Sequence, residues 1–242
     1  MRRRYPLLVF DWDGTLMDSE ELIVSCMRWA IEALDLEPRS DRAMAASIGL
    51  GLYEAIQSLY PQASEAVVNT LADHYREYFL SQQPSPSRLF PGALETLLHL
   101  HRQGYLLAVA TGKSRRGLDR SLLETGCREL FHVTRCADET LSKPHPMMLL
   151  EIMDVLDVIP TETLMIGDTE YDMLMASQAG TAALAVDYGV HERQRLMEQR
   201  PLSCLSDISE LPQWLDAQQD PGRRAENNRP SINDREIFDN DE

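Results

Sequence analysis

Short, almost uninterrupted apolar runs recur along the chain at Leu7–Phe10, residues 106–110, residues 164–166 and Ala182–Val186. Runs of that length, rich in Leu, Val, Ile and Ala, have the character of strands buried on both faces of a parallel sheet. Residues 132–136 form a weaker candidate. Between the runs the apolar residues recur at helical spacing: Leu94, Leu97, Leu98 and His101; Leu118, Leu122 and Leu123; Met148, Ile152, Val155 and Leu156. Strand–helix–strand alternation predicts an α/β fold, a Rossmann-like parallel sheet flanked by helices.

One stretch breaks the alternation. Residues 19–81 carry helical patterns alone: Leu22, Cys26, Ala30 and Leu34; then Met44, Ile48, Leu52 and Ile56; then Val68, Leu71, Tyr75 and Phe79. Asp18-Ser19-Glu20-Glu21 has capping-box spacing at its entrance, with Asp18 the expected N-cap. Gln83-Pro84-Ser85-Pro86-Ser87 has linker composition at its exit. The expected organisation is a Rossmann-like catalytic core of residues 1–17 and 88–216, an inserted all-helical cap of residues 18–87, and a polar, disordered tail of residues 217–242.

The polar residues that matter follow the predicted strands. Asp11 and Asp13 end the first and lead into Gly14-Thr15; Thr111-Gly112-Lys113 ends the second; Lys143-Pro144 precedes a helix; Gly167-Asp168 follows a later strand, with Asp172 four residues on. In an open parallel sheet the carboxyl ends of the strands line one crevice, where ligands bind. Four separate segments therefore bring carboxylates, a lysine and a threonine together. Taken singly, each has an ordinary structural explanation: a strand-end turn for Asp11 and Asp13, a helix N-cap for Asp168, a first-turn acid for Asp172, a surface lysine for Lys143.

Composition narrows the chemistry. Of 242 residues, 23 are Lys or Arg and 39 are Asp or Glu, a net charge of −16. That charge disfavours nucleic acid and anionic membranes as partners. It also means that an anionic substrate needs local positive charge or a cation. The apolar run after Arg2-Arg3-Arg4 stops at Asp11, too short for a secretory signal, so the arginines read as a solvated basic end. The cysteines Cys26, Cys127, Cys136 and Cys204 lack metal-ligand spacing and read as buried thiols of a cytoplasmic protein.

Clustered carboxylates stay ionised only beside compensating positive charge. Mg²⁺ suits a site of one or two carboxylates plus substrate phosphate. Lys143 adds a fixed charge, and the Thr111 hydroxyl and Gly112 amide can bond phosphate oxygens. An ionised Asp11 can then attack phosphorus, while Asp13 protonates the departing alcohol and later deprotonates water.

Asp11-Trp12-Asp13-Gly14-Thr15, Thr111, Lys143 and Gly167-Asp168 with Asp172 resemble, in order and spacing, the four motifs of the haloacid dehalogenase superfamily. Phe90-Pro91-Gly92 and Ala179-Gly180 extend the likeness over roughly residues 5 to 215. It is closest to the phosphoglycolate-phosphatase-like branch with a helical cap. The resemblance implies Asp11 as nucleophile and metal ligand, Asp13 as acid/base with its backbone carbonyl on the metal, and Thr111, Gly112 and Lys143 as phosphate-binding. Asp168 would ligate Mg²⁺, and Asp172 would do so directly or through water. Dehalogenases and the phosphonate hydrolase of the superfamily lack an acid at the position of Asp13, which points to a small phosphorylated metabolite, phosphoglycolate among them. A phosphosugar mutase of the same fold is the alternative. A phosphorylatable signalling switch fits poorly, since receiver domains are about half this length and carry their acceptor later than the first strand. Lys113, Arg115 and Arg116 read as a solvated helix start rather than substrate contacts, and His145 as a neighbour of Lys143 only. Gly49-Leu50-Gly51 is either an ordinary loop or the cap element that reaches substrate.

Overall fold

The computed structural model describes residues 3–81 and 88–218. The Pro/Ser linker, all but the first residues of the tail, and Arg2 lie outside that range. In chain order the strands are β1 (Leu7–Phe10), β2 (Met17–Asp18), β3 (Arg88–Leu89), β4 (Leu106–Thr111), β5 (Val133–Cys136), β6 (Thr163–Gly167), β7 (Ala182–Val186) and β8 (Cys204–Leu205). The helices are α1 (Glu20–Ala33), α2 (Asp41–Ala45), α3 (Leu52–Leu59), α4 (Glu65–Ser81), α5 (Ala93–Arg102), α6 (Arg115–Thr125), α7 (Met147–Leu156), α8 (Glu170–Ala179), α9 (Arg193–Glu198) and α10 (Leu211–Ala217).

Six strands form one parallel sheet in the order β5-β4-β1-β6-β7-β8. The continuous apolar runs arise because both faces are covered. Leu8, Phe10, Leu107, Val109, Leu164 and Ile166 point into one core, shared with Leu97 of α5 and Leu118 of α6. Leu7, Val9, Ala108, Ala110 and Met165 point into the other, against Ile152 of α7 and Ala176 of α8. Successive residues alternate between the two cores, the period-2 consequence of strand geometry.

The chain leaves β1 for β4 on one side and later returns to β6 on the other, so β1 is the topological switch point. Parallel pairing places Phe10 opposite both Val109 and Ile166, and the Asp11 amide extends the ladder with a 2.9 Å bond to the Ile166 carbonyl. The position after β1 is therefore held between two strand ends.

Residues 20–81 are helical wherever structured, with an apolar cluster of their own built on Val24, Met27, Ile31, Met44, Ile56 and Leu71. The short antiparallel pair of β2 and β3 carries the chain out to these helices and back. Several expectations need correcting. The pattern from Met44 to Ile56, interrupted at Gly49-Leu50-Gly51, is two helices, α2 and α3, and Gly49 at φ +98° turns the chain between them. Asp18 is exposed and pairs with Arg88 in β2, so it caps nothing; Ser19 holds the N-cap position of α1. Leu123 and Val155 face solvent despite their helical spacing. Arg3 is not simply solvated: its guanidinium bonds the Gly104 carbonyl at 3.1 Å and lies over the Tyr105 ring.

Leu97 is fully buried, whereas Leu123 is 77% exposed. Leu97→Ala is expected to cost about 2–5 kcal/mol and Leu123→Ala less than about 0.5 kcal/mol. Urea unfolding midpoints of the two variants check this, and equal losses would contradict the packing described.

Candidate active site

Burial of charge defines the site. Asp11, Asp168, Asp172 and Lys143 are all within 1% of complete burial, an arrangement that ionised groups tolerate only when they compensate one another. Lys143 Nζ lies 2.8 Å from Asp11 Oδ1 and 2.7 Å from Asp172 Oδ1. Burial pushes the Lys143 ammonium toward its neutral form, but Asp11 and Asp172 more than offset this and hold its pKa above the ordinary lysine value. The same burial drives the Asp11 carboxyl well above the usual carboxylate range; Lys143 opposes the shift, while Asp172 and Asp168 add to it.

Each carboxylate is fixed from a different element. Asp11 follows β1, and its Oδ1 accepts the Trp12 amide at 2.6 Å. Its Oδ2 is buried without a hydrogen-bond partner among the described residues. Asp168 follows β6 and accepts from the Thr15 hydroxyl at 2.7 Å and the Val190 amide at 2.9 Å. Asp172 lies in the first turn of α8, whose N-cap is Thr169 rather than Asp168. Asp172 Oδ2 closes the capping box with the Thr169 hydroxyl at 2.7 Å and its amide at 3.1 Å, which leaves Oδ1 for Lys143. Gly14 turns the chain at φ +83°, and a Cβ there would overlap the Asp168 carboxylate, so the turn after Asp13 and the strand-end acid come together only at glycine.

One oxygen from each of Asp11, Asp168 and Asp172 lies within 4.8 Å of the others. A divalent cation fits this triad. It would meet oxygen donors only, its charge would relieve the mutual repulsion, and the orphaned Oδ2 of Asp11 would gain a partner. One lysine does not balance three buried carboxylates. Burial first, and then Asp172, raises the Asp168 pKa to about 7, against the opposing pull of the Val190 amide, the Thr15 hydroxyl and Lys143.

Asp13 is not among the three clustered carboxylates. Its Oδ1 accepts from the Ser19 hydroxyl at 2.6 Å and from Lys113 Nζ at 2.9 Å. Lys113 is thus no solvated helix start: its side chain is 8% exposed, and its ammonium lies 5.2 Å from the centre of the Phe79 ring. Arg115 is likewise engaged, on Glu139 and Thr134, while Arg116 is exposed at the rim. Lys113 and Ser19 are the residues that sequence reasoning missed. The only available signal was the placement of Lys113 two residues beyond Thr111, which is where a strand end turns its side chains into the crevice. Thr111 is fully buried, its hydroxyl accepting the Lys113 amide at 3.2 Å. His145 is exposed and accepts the Met147 amide, away from the cluster.

Asp11, Asp13, Thr111, Gly112 and Lys113 open into a cavity of about 410 Å³ between the sheet and the inserted helices. Residues 48–52 form part of its roof. Gly112 passes so close to the Leu50 carbonyl that a Cβ on Gly112 would overlap it, and the Gly51 amide donates to Ser142 Oγ at 2.7 Å. Of the two readings of Gly49-Leu50-Gly51, the one that reaches the crevice agrees with this arrangement.

The signature of the haloacid dehalogenase-like hydrolase family matches residues 8–186. The chain is 37% identical over 212 residues to "Probable phosphatase IndB" of Dickeya dadantii, covering 85% of this chain and 91% of that protein. It is 28% identical over 209 residues to pyrophosphatase PpaX of Bacillus cereus, covering 86% and 95% respectively. A hydrolase structure from Pseudomonas syringae superposes with a TM-score of 0.81 at 22% identity over 90% of this chain and 99% of that one, a likeness of fold. The chain belongs to the haloacid dehalogenase-like hydrolase family, on its phosphatase branch. It is an enzyme, a hydrolase. Among the described residues no helix is long and apolar enough to cross a membrane.

Without a cation the folded protein binds a proton at Asp168 more tightly than the unfolded chain does. Between the ordinary carboxylate value of 3.8 and about 7, the folded state therefore holds more protons and loses stability as pH rises. A divalent cation competes with those protons, so its stabilisation grows across the same window. The rise in Tm produced by millimolar Mg²⁺ over EDTA is expected to be larger at pH 8 than at pH 5, by differential scanning fluorimetry. An equal or smaller rise at pH 8 would contradict the assignment of the triad.

Proposed function

We propose that the protein is a magnesium-dependent phosphatase that hydrolyses small phosphate monoesters through an aspartyl-phosphate on Asp11. The observation that carries this reading is the Asp11 carboxylate: buried beside Lys143, with one oxygen orphaned, at the floor of a cavity that also exposes Asp13, Thr111 and Gly112. Phosphatase and pyrophosphatase names among the relatives agree with chemistry at phosphorus.

On this reading Asp11, Asp168 and Asp172, with the backbone carbonyl of Asp13, would hold Mg²⁺. Bound there, the cation supplies positive charge that neutralises the phosphoryl oxygens and the crowded carboxylates. Thr111, the Gly112 amide and Lys143 orient the phosphoryl group. Asp11 forms a bond to phosphorus as the ester P–O bond breaks, and Asp13 gives its proton to the departing alkoxide. Water then attacks the aspartyl-phosphate and returns a proton to Asp13. The Asp11–P bond breaks, and inorganic phosphate leaves. Ser19 and Lys113 hold Asp13 in one orientation throughout, and Asp172 acts largely by holding Lys143.

The division into a core of residues 1–17 and 88–216 and a cap of residues 18–87 belongs to the same proposal. The cap roofs the site, excludes water during transfer, and keeps folded phosphoproteins and duplex nucleic acid out. A cytoplasmic setting accords with four buried free thiols.

Asp11→Asn is expected to lower kcat by about 10³-fold or more, and beryllium fluoride with Mg²⁺ to trap a phosphate mimic on Asp11 of the unaltered enzyme. Near-normal turnover by Asp11→Asn would overturn the mechanism, and phosphate retained on a sugar rather than released would mark a mutase. Across a panel of esters that includes phosphoglycolate, Asp168→Ala should depress kcat/KM on every member alike, whereas Leu50→Ala should reorder the panel. An unchanged ranking for Leu50→Ala would remove residues 48–52 from substrate choice.

A further inference from the structure

The cavity above Asp11 is larger and greasier than phosphoryl transfer requires. At about 410 Å³ it lies within the range of sites that enclose an organic ligand, not merely a phosphate. Asp11, Asp13 and Thr111 form a polar floor. Much of the wall above it is apolar and comes from the inserted helices, Ile23 and Met27 of α1, Met44 of α2, Leu52 of α3, and Tyr75 and Phe79 of α4, with charged groups at a few positions. The Tyr75 and Phe79 rings lie nearly parallel, 12° apart in plane with centroids separated by 6.0 Å, and both contribute aromatic surface to the lining.

Charge along the lining disfavours a second anionic group on the substrate. Lys113 is committed to Asp13, and Arg76 to Asp73 and the Tyr53 hydroxyl. Arg116 also lines the cavity, at its exposed rim. The carboxylates of Glu54 and Asp138 also line the cavity and would repel a carboxylate or a further phosphate. Glycolate, whose carboxylate would have to sit against this wall, is poorly served; an uncharged ring or hydrocarbon is well served.

Resting on the phosphatase reading above, we propose that the preferred substrate is the phosphate monoester of an uncharged alcohol bearing an aromatic ring or a hydrocarbon of similar size. Its phosphate sits on Asp11, and its apolar part lies against Tyr75 and Phe79.

The test compares ethyl, hexyl and 2-phenylethyl phosphates with phosphoglycolate, all with Mg²⁺. The three alkyl leaving groups are close in acidity, so differences among them report the wall rather than the chemistry. Each methylene buried is worth about fourfold, so kcat/KM should rise at least about tenfold from ethyl to hexyl and to 2-phenylethyl phosphate. Phe79→Ala should lose more on 2-phenylethyl than on ethyl phosphate. Phosphoglycolate or ethyl phosphate turned over as well as 2-phenylethyl phosphate would overturn the inference. Failure to hydrolyse any ester, p-nitrophenyl phosphate included, would instead sink the phosphatase reading. In that case calorimetry with phosphonates decides the wall: 2-phenylethylphosphonate binding at least tenfold tighter than ethylphosphonate upholds it, and equal binding overturns it.

Discussion

Everything in the site follows from one electrostatic constraint: three carboxylates and a single ammonium are buried together, almost without exposed surface. Like charges at such distances repel strongly in a low-dielectric interior, and one lysine between two of them leaves a surplus of negative charge. The surplus has two remedies, protons or a cation. Protons would neutralise Asp11, the nucleophile of the proposed reaction; a cation leaves it ionised. The arrangement therefore gains its chemistry only when positive charge arrives, and a dianionic phosphate could hardly enter it otherwise, least of all in a protein of net charge −16. On the proposed reading, overall acidity and a phosphate site coexist because the charge balance is local.

The sheet makes such crowding possible. Asp11 extends the β1 ladder, and Asp168 follows β6, the neighbour of β1, so the separation of these acids is set by strand pairing rather than by flexible loops. Asp172 joins them through the capping box of α8. The hydrogen bonds that start the helix aim one of its oxygens at Thr169 and leave the other for Lys143. A carboxylate thus serves local helix formation and the site together. Part of the cost of burying charge is offset by hydrogen bonds the fold makes anyway.

Much of this was legible in the sequence because parallel strands advertise themselves as continuous apolar runs, and a strand's carboxyl end is the residue that follows. Asp11, Thr111 and Asp168 were found in this way, and the order of the motifs did the rest. The edge strand β8 was not legible: two residues, Cys204 and Leu205, are too few for a periodic signal. Across residues 44–56 Met44, Ile48, Leu52 and Ile56 keep helical spacing on both sides of Gly49-Leu50-Gly51, so the pattern alone does not show that the backbone turns at Gly49. Side-chain partnerships at long range were the least accessible. Nothing in the local pattern separates the lysine that meets Asp13 across 100 residues from the solvated lysine that usually begins a helix. Asp18 reads as the cap, yet Ser19 holds that position, makes no capping bond with its side chain, and donates its hydroxyl to the charged Asp13 carboxylate across the turn.

Asp13 joins the two parts of the molecule. Ser19 stands at the start of α1, and Lys113 follows β4; both converge on one oxygen of that carboxylate. The inserted helices have their own apolar cluster, and their loop meets the sheet side through polar contacts: Gly51 with Ser142, and the Ala46 carbonyl with Tyr171 and His191. Polar contacts of this kind can be exchanged for water at little net cost, whereas the apolar cluster cannot be opened so cheaply. Val190 of the sheet side packs on that cluster as well, so the insert is held by both kinds of contact. The residues that roof the cavity at 48–52 and those that hold Asp13 are different, so on the proposed reading the roof can change its fit to a substrate while Ser19 and Lys113 keep their hold on the acid/base.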